Sequence, residues 1–241
     1  MGRRVSDFYD EFADEQIGDL INPNPRLRAI RNRLRPVLDL RPRSALDIGC
    51  GIGATTDWLA RSVPRVVGID ISPRHIKIAS TLFDRPEFIV CELPSDTPPA
   101  GPFELVTLFD VIEHFEPAFR APVFARIGDV IADDGVIAIN IPSRLYALEV
   151  QEQDRQIIDE AVGVDELVGL AASLGMEPLS VDRYGIDSPN QYAFCTFSRA
   201  YEVRTPAPGS EMGRRERFAI AVESLQRRLR ARRQIERIRG L

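Results

Sequence analysis

The stretch "ALDIGCGIG", Ala45 to Gly53, decides how the rest of the chain is read. An apolar run that builds a buried strand meets Asp47, and glycine then stands at 49, 51 and 53. Glycine at that density serves the backbone, either by taking positive φ or by letting another group come close. Three readings fit the turn. It is a tight strand-to-helix connection without a ligand, or it holds a pyrophosphate, or it holds a ligand with a cationic group. Gly49, Gly51 and Ala54 satisfy the G-x-G-x-x-G/A pattern of pyrophosphate binding on a helix N-terminus. Asp47 opposes that reading, because a carboxylate two residues before the first glycine gains nothing from an anion. It suits a cationic group.

Outward from this turn the pattern switches between strand and helix periods. Residues 6–20 and 24–40 read as helices, the second with Leu27, Ile30, Leu34, Val37 and Leu38 at helical spacing. "SALDIG" (44–49) is a strand and "ATTDWLARS" (54–62) a helix that Pro64 closes. Further strands are expected over 65–70, 87–93, 103–111 and 136–142. Helices are expected over 72–83, with Ser72 as N-cap and Pro73 in the first position, over 117–135 and over 164–175. Two last strands, 177–186 and 190–199, form a hairpin. Such alternation implies right-handed βαβ units. The expected fold is α/β: a doubly wound, Rossmann-like, mostly parallel seven-stranded sheet with a C-terminal antiparallel hairpin. The expected division is an N-terminal helical segment (1–40), a core (41–204) and a basic C-terminal helix (205–241).

The ligand of such a sheet sits beyond the carboxyl ends of its strands. Asp70 ends the second strand, 17 residues after Gly53, and is placed to accept from two vicinal ribose hydroxyls. An acid for an amine and an acid for a ribose describe S-adenosyl-L-methionine better than NAD.

From this point the chain resembles the class I S-adenosylmethionine-dependent methyltransferases. "LDIGCGIG" and "VVGIDIS" are similar to the family's first two motifs. "EFIVCEL", "FELVTLFDVIEHF" and "IADDGVIAINIPS" follow in the family's order. The resemblance is close over residues 40–145 and extends in outline to about residue 199. It implies that Gly49, Gly51 and Gly53 let the backbone approach the methionine portion, with Asp47 on its amino group. It implies Asp70 on the ribose, Glu92 on the adenine amino group and Asp110 beside the methyl group, with Cys50 and Ile71 also in the cofactor site. "IADDG" departs from the Lys-Pro-Gly-Gly of many members, though Asp133, Asp134 and Gly135 can make the same turn.

Methyl transfer to a hydroxyl needs its proton removed as the bond forms. His114, in "DVIEHF" just past the fourth strand, is the candidate catalytic base, its alternative role being to hold the loop. Glu113 reads as structural, His75 as an exposed helix residue, and Asp57 and Asp96 as surface acids. "FYDEFADEQ" resembles the lid helix of small-molecule methyltransferases, in which Phe8, Tyr9 or Phe12 would cover the cofactor. Arg144, Tyr146 and Gln153 form an acceptor wall similar to that of glycan-pathway methyltransferases. The expected acceptor is a small polar molecule, such as a hydroxyl of a sugar or a lipid-linked glycan precursor. N-methylation of a small metabolite and RNA methylation through the basic tail are the alternatives.

Charge is unevenly distributed. From residue 206 on, ten arginines face four glutamates, so this segment carries +6 and the remainder −11 of a total −5. Phe218, Val222, Leu225 and Leu229 share one stripe among those arginines, without the aromatics that stack on bases. A nucleic-acid partner is therefore not expected. Docking on the acidic body, in a homodimer or on an anionic membrane surface is. No apolar run reaches the roughly 18 residues of a membrane span, and the N-terminal arginines are not followed by the apolar region of a secretory signal. Three cysteines (Cys50, Cys91, Cys195) and two histidines lack metal-site spacing, so no metal is expected. These features point to a reducing cytoplasm, free or at the membrane periphery.

Overall fold

The computed structural model describes residues 24–149 and 160–199. The expected helix over 6–20, with Phe8, Tyr9 and Phe12, lies outside them, as do Gln153 and the basic segment 205–241.

The first described element is set by its cap. Asn24 Oδ1 accepts from Leu27 N at 3.1 Å, and Pro25 takes the first position of helix α1, Pro25–Leu38. Its buried stripe of Ile30, Leu34 and Val37 lies on one face of the sheet, against Ala45, Val66, Leu105, Val136 and Phe194. The next residue along each of the first strands points the other way, as the two-residue period of a strand requires. Leu46, Val67 and Val106 therefore join the second face, which Val123, Phe124, Ile127, Leu167 and Ala171 cover. Burial on both faces explains why these strands read as continuous apolar runs.

In chain order the elements after α1 are β1 (Ser44–Ile48), α2 (Ala54–Leu59), β2 (Arg65–Asp70), α3 (Pro73–Leu82), β3 (Glu87–Val90) and β4 (Phe103–Phe109). A 3₁₀ turn (Ile112–His114), α4 (Pro117–Gly128), β5 (Ile131–Pro142), α5 (Arg144–Glu149), α6 (Val164–Ala172), β6 (Glu177–Tyr184) and β7 (Tyr192–Ser198) follow. The sheet order is β3-β2-β1-β4-β5-β7-β6. β1 to β5 are parallel, and β7 runs antiparallel to both β5 and β6. The expected α/β sheet with its C-terminal hairpin is the observed one. Strand order reverses between β1 and β4, which opens a crevice beyond their carboxyl ends.

Several element boundaries differ from the sequence reading, three of them with a visible cause. The helix expected over 117–135 stops at Gly128, and Ile131 already pairs with Phe103. The register then shifts so that Val136 faces Leu105, which absorbs the Asp133-Asp134-Gly135 turn as an irregularity within β5. β3 ends at Val90 because the Asp96 carboxylate accepts from Glu92 N at 2.7 Å and folds the chain into a turn. Residues 144–149, read as part of a connecting wall, are helical, with Ser143 Oγ accepting from Tyr146 N at 3.3 Å at the helix start.

Candidate active site

All three glycines after β1 adopt positive φ: 68° at Gly49, 53° at Gly51 and 82° at Gly53. The space a side chain would need at Gly49 is filled by the Val111 isopropyl group, just past β4. At Gly53 it is taken by the Phe88 ring, 2.7 Å from a built Cβ, and by Ala79 at 3.0 Å. At these two positions the group that comes close belongs to the protein itself. The turn is closed by Cys50 N donating to Ile69 O at 2.9 Å and Gly53 N donating to Cys50 O at 3.0 Å. The Cys50 thiol is half-buried beneath it, and burial pushes its pKa well up, so it is held as a thiol.

Asp47 lies under this turn. Strand register places Thr107 of β4 directly beside it, and Thr107 Oγ1 donates to Asp47 Oδ1 at 2.6 Å. Thr56 Oγ1, from the first turn of α2, donates to Oδ2 at 2.7 Å. The carboxyl is 3% exposed, and burial pushes its pKa up to about 6 against the two hydroxyl donors. A folded-state pKa above the ordinary carboxyl value means that stability present at low pH is lost as pH rises from about 4 to about 6. Asp47→Asn is therefore expected to stabilise the unliganded protein at pH 7 by about 2–3 kcal/mol and to flatten its stability over that window. Thermal unfolding of both proteins from pH 4 to 7 measures this. A variant that parallels the parent's pH dependence would show that Asp47 does not titrate there.

Asp70, at the end of β2, is tied to the same turn. Its Oδ2 accepts from Gly51 N at 2.8 Å, and its Oδ1 accepts from Ser72 N at 2.9 Å. His75 was expected on an exposed helix face; it is 1% exposed, with Nδ1 3.1 Å from Asp70 Oδ1. The first turn of α3, started by Ser72, points its ring back at the strand end. Ile71 lies half-buried between Asp70 and that cap. Glu92 is exposed beyond β3, one residue past Cys91, whose N–H donates to Asp70 O at 2.9 Å. Asp57, read as a surface acid, is buried in α2 and paired with Arg61 at 2.8 Å.

The carboxyl end of β4 carries a polar network that no local pattern signals. Asp110 holds a φ of 58°, a conformation rare outside glycine and concentrated at functional sites. Its carboxylate accepts from Asn140 Nδ2 at 2.7 Å and pairs with Arg26 Nε at 3.2 Å. Asn140 Oδ1 in turn accepts from Tyr184 OH at 2.8 Å, and Arg33 caps the Tyr184 ring at 3.6 Å. Tyr184 stacks on Tyr192, whose ring lies 6.3 Å from that of Tyr146. Burial pushes the Tyr184 and Tyr192 pKa values upward, so both phenols keep their protons. His114 is half-buried at the end of the 3₁₀ turn, four residues after Asp110. Asp47, Asp70, the glycine turn and Asp110 thus lie along one crevice edge, with Glu92 and His114 on the segments leaving it.

A family model for a methyltransferase domain matches residues 16–166. The chain belongs to this methyltransferase family. Its sheet is the class I S-adenosylmethionine-dependent methyltransferase fold. Among curated proteins it is similar to a trans-aconitate 2-methyltransferase of Methylobacterium radiotolerans, 29% identical over 52% of this chain and 50% of that protein. It is also similar to the erythromycin 3''-O-methyltransferase of Saccharopolyspora erythraea, 35% identical over 39% of this chain and 33% of that protein. The chain thus spans half the length of the first and a third of the second. A crystal structure of the Burkholderia thailandensis 1,6-didemethyltoxoflavin-N1-methyltransferase, with its acceptor and S-adenosylhomocysteine bound, superposes with a TM-score of 0.61. It is 21% identical and covers 80% of this chain and 85% of that one. Among the described residues, no helix is long and apolar enough to cross a membrane.

Proposed function

We propose that this methyltransferase-family chain moves a methyl group from S-adenosylmethionine to a small polar acceptor. The observation that carries the reading is the pair of buried acids, Asp47 and Asp70, converging on one glycine turn at the β1–β4 switch point. That pair of acceptors suits a cofactor with an ammonium group and a ribose, and it does not suit a pyrophosphate. Asp47 would face the amino group, Asp70 the ribose, Glu92 the adenine, and Asp110 the side where the acceptor enters. Gly49, Gly51, Gly53, Cys50 and Ile71 would line the cofactor's path, and Tyr9 would cover it. When bound, the sulfonium supplies an already electrophilic methyl group. The chain adds alignment and, for a hydroxyl acceptor, a base.

His114 is that base in this reading. Arg26, Tyr146 and Tyr192, gathered at the same strand ends, supply donors for a polar acceptor. A sugar or lipid-linked glycan hydroxyl is the acceptor we favour. The relative named for trans-aconitate supports a small-molecule acceptor, and the one named for a 3''-O position of erythromycin supports transfer to oxygen. Residues 1–23 would serve as the lid, while α1, expected in the same N-terminal segment 1–40, packs its Ile30, Leu34 and Val37 on the sheet and belongs with the 41–204 core.

Calorimetry with S-adenosylmethionine, S-adenosylhomocysteine and NAD tests the cofactor. Binding of the first two and not NAD is expected, and preferential NAD binding would sink the reading. Asp70→Ala is expected to weaken S-adenosylhomocysteine by about 1.5–3 kcal/mol, the scale of a lost hydrogen bond to a charged group. Unchanged affinity would remove Asp70 from the site.

The basic segment 205–241 would dock on a second copy or on an anionic membrane surface. Cutting after Arg204 should leave cofactor affinity intact and change either the oligomeric mass or the binding to anionic vesicles. Light scattering and vesicle sedimentation on both proteins decide it, and no difference in either would leave the segment without a docking role.

A further inference from the structure

The Asp70 carboxylate is more crowded than a clamp for two ribose hydroxyls allows. A carboxylate offers about four lone-pair positions, two on each oxygen. Oδ1 accepts from Ser72 N at 2.9 Å and lies 3.1 Å from His75 Nδ1, while Oδ2 accepts from Gly51 N at 2.8 Å. Oδ1 is therefore filled, and Oδ2 keeps one position.

His75 makes the difference. Its backbone N–H donates to Ser72 Oγ at 3.0 Å, which fixes the first turn of α3 and aims the ring at Asp70. Because an ionised carboxylate only accepts, Nδ1 carries the proton in that contact. The opposite ring atom, Nε2, is buried without a hydrogen-bond partner among the described residues. An unsatisfied buried polar atom lowers stability, and an apolar side chain would fill the same space without one. Packing alone therefore gives no reason for an imidazole here.

We infer that His75 is a positioning residue for cofactor binding. By filling Oδ1 it leaves Asp70 a single acceptor position, so the carboxylate takes one ribose hydroxyl and the other is left to solvent. This rests on the assignment of Asp70 to the cofactor ribose.

The test is calorimetry of the full chain with S-adenosylhomocysteine and its 2′-deoxy and 3′-deoxy analogues. In the parent protein one analogue should bind within about threefold of S-adenosylhomocysteine and the other about tenfold or more weaker, the scale of a lost charged hydrogen bond. His75→Leu opens the second position on Oδ1, so the two analogues should then lose affinity by similar factors. His75→Asn returns an N–H donor close to the Nδ1 position and should keep the parent's asymmetry. Equal losses in the parent would overturn the inference, as would an undiminished asymmetry in His75→Leu. Should that variant not fold, the parent and His75→Asn decide it, since both must show the asymmetry. Failure of S-adenosylhomocysteine itself to bind is a different result: it overturns the cofactor assignment and the inference with it.

Discussion

Replacing His114 with alanine is expected to lower turnover of a hydroxyl acceptor by about 10²–10⁴-fold, the usual contribution of a positioned general base. The expectation follows from position and chemistry. His114 closes the 3₁₀ turn that leaves β4, four residues after Asp110, and it is half-buried on the segment leaving the crevice edge. As the new oxygen–carbon bond forms, the hydroxyl proton must leave, and an imidazole takes it near neutral pH. S-adenosylhomocysteine affinity should barely move, because the cofactor contacts are assigned to other residues. Turnover within a few-fold of the parent, measured on an identified acceptor, would return His114 to a scaffold role. An acceptor methylated on nitrogen would shrink the effect, since a neutral amine needs less help with its proton.

The second large effect is on stability. Gly49→Ala is expected to cost about 2–5 kcal/mol, which joins two separate penalties. The left-handed backbone at φ 68° disfavours any residue with a Cβ by about 1–2 kcal/mol. The added methyl also enters space held by the Val111 side chain, and overpacking of that kind costs about 1–3 kcal/mol. Against a total stability on the order of 5–15 kcal/mol, this is enough to compromise folding. A double-mutant cycle separates the parts by urea unfolding. Val111→Ala in the Gly49→Ala background should recover the packing share and leave the backbone share. If Gly49→Ala unfolds at the parent's midpoint, the glycine turn is not under the constraint described. If the double variant gains nothing, Val111 is not the obstacle.

Both effects depend on residues that the sequence analysis singled out, and they differ in how far sequence could carry the reading. The glycines announce a backbone constraint from composition alone, because no other residue tolerates positive φ so readily. What fills the space beside them was not legible. Val111 reaches Gly49 only because β1 and β4 pair in parallel, and Phe88 reaches Gly53 from β3 across the second strand. A local pattern records which face a residue takes, and it does not record which distant residue it meets.

The two acids show the same division. Asp47 and Asp70 were visible as strand-ending carboxylates, since an acid in an apolar strand stands out against its neighbours. Their partners were hidden. Thr107 lies 60 residues from Asp47 and is set beside it by strand register, and Thr56 reads as an ordinary helix residue until α2 folds over the turn. His75 looked exposed because helical spacing alone does not show which side of α3 meets the sheet. Buried, it becomes part of the Asp70 site.

Alternation of apolar strands with amphipathic helices, and glycine and acid at the first two strand ends, determined the sheet, the place of the crevice and the kind of ligand it suits. Those are local properties, set by side-chain period and by what glycine alone can do. Tertiary structure decided the rest: the link from Arg26 through Asp110 and Asn140 to Tyr184, the hydroxyls on Asp47 and the imidazole on Asp70. Each joins groups far apart along the chain, except that Thr56 and His75 lie nine and five residues from their acids, and each exists only once packing removes water and leaves a polar group to find its partner inside the protein.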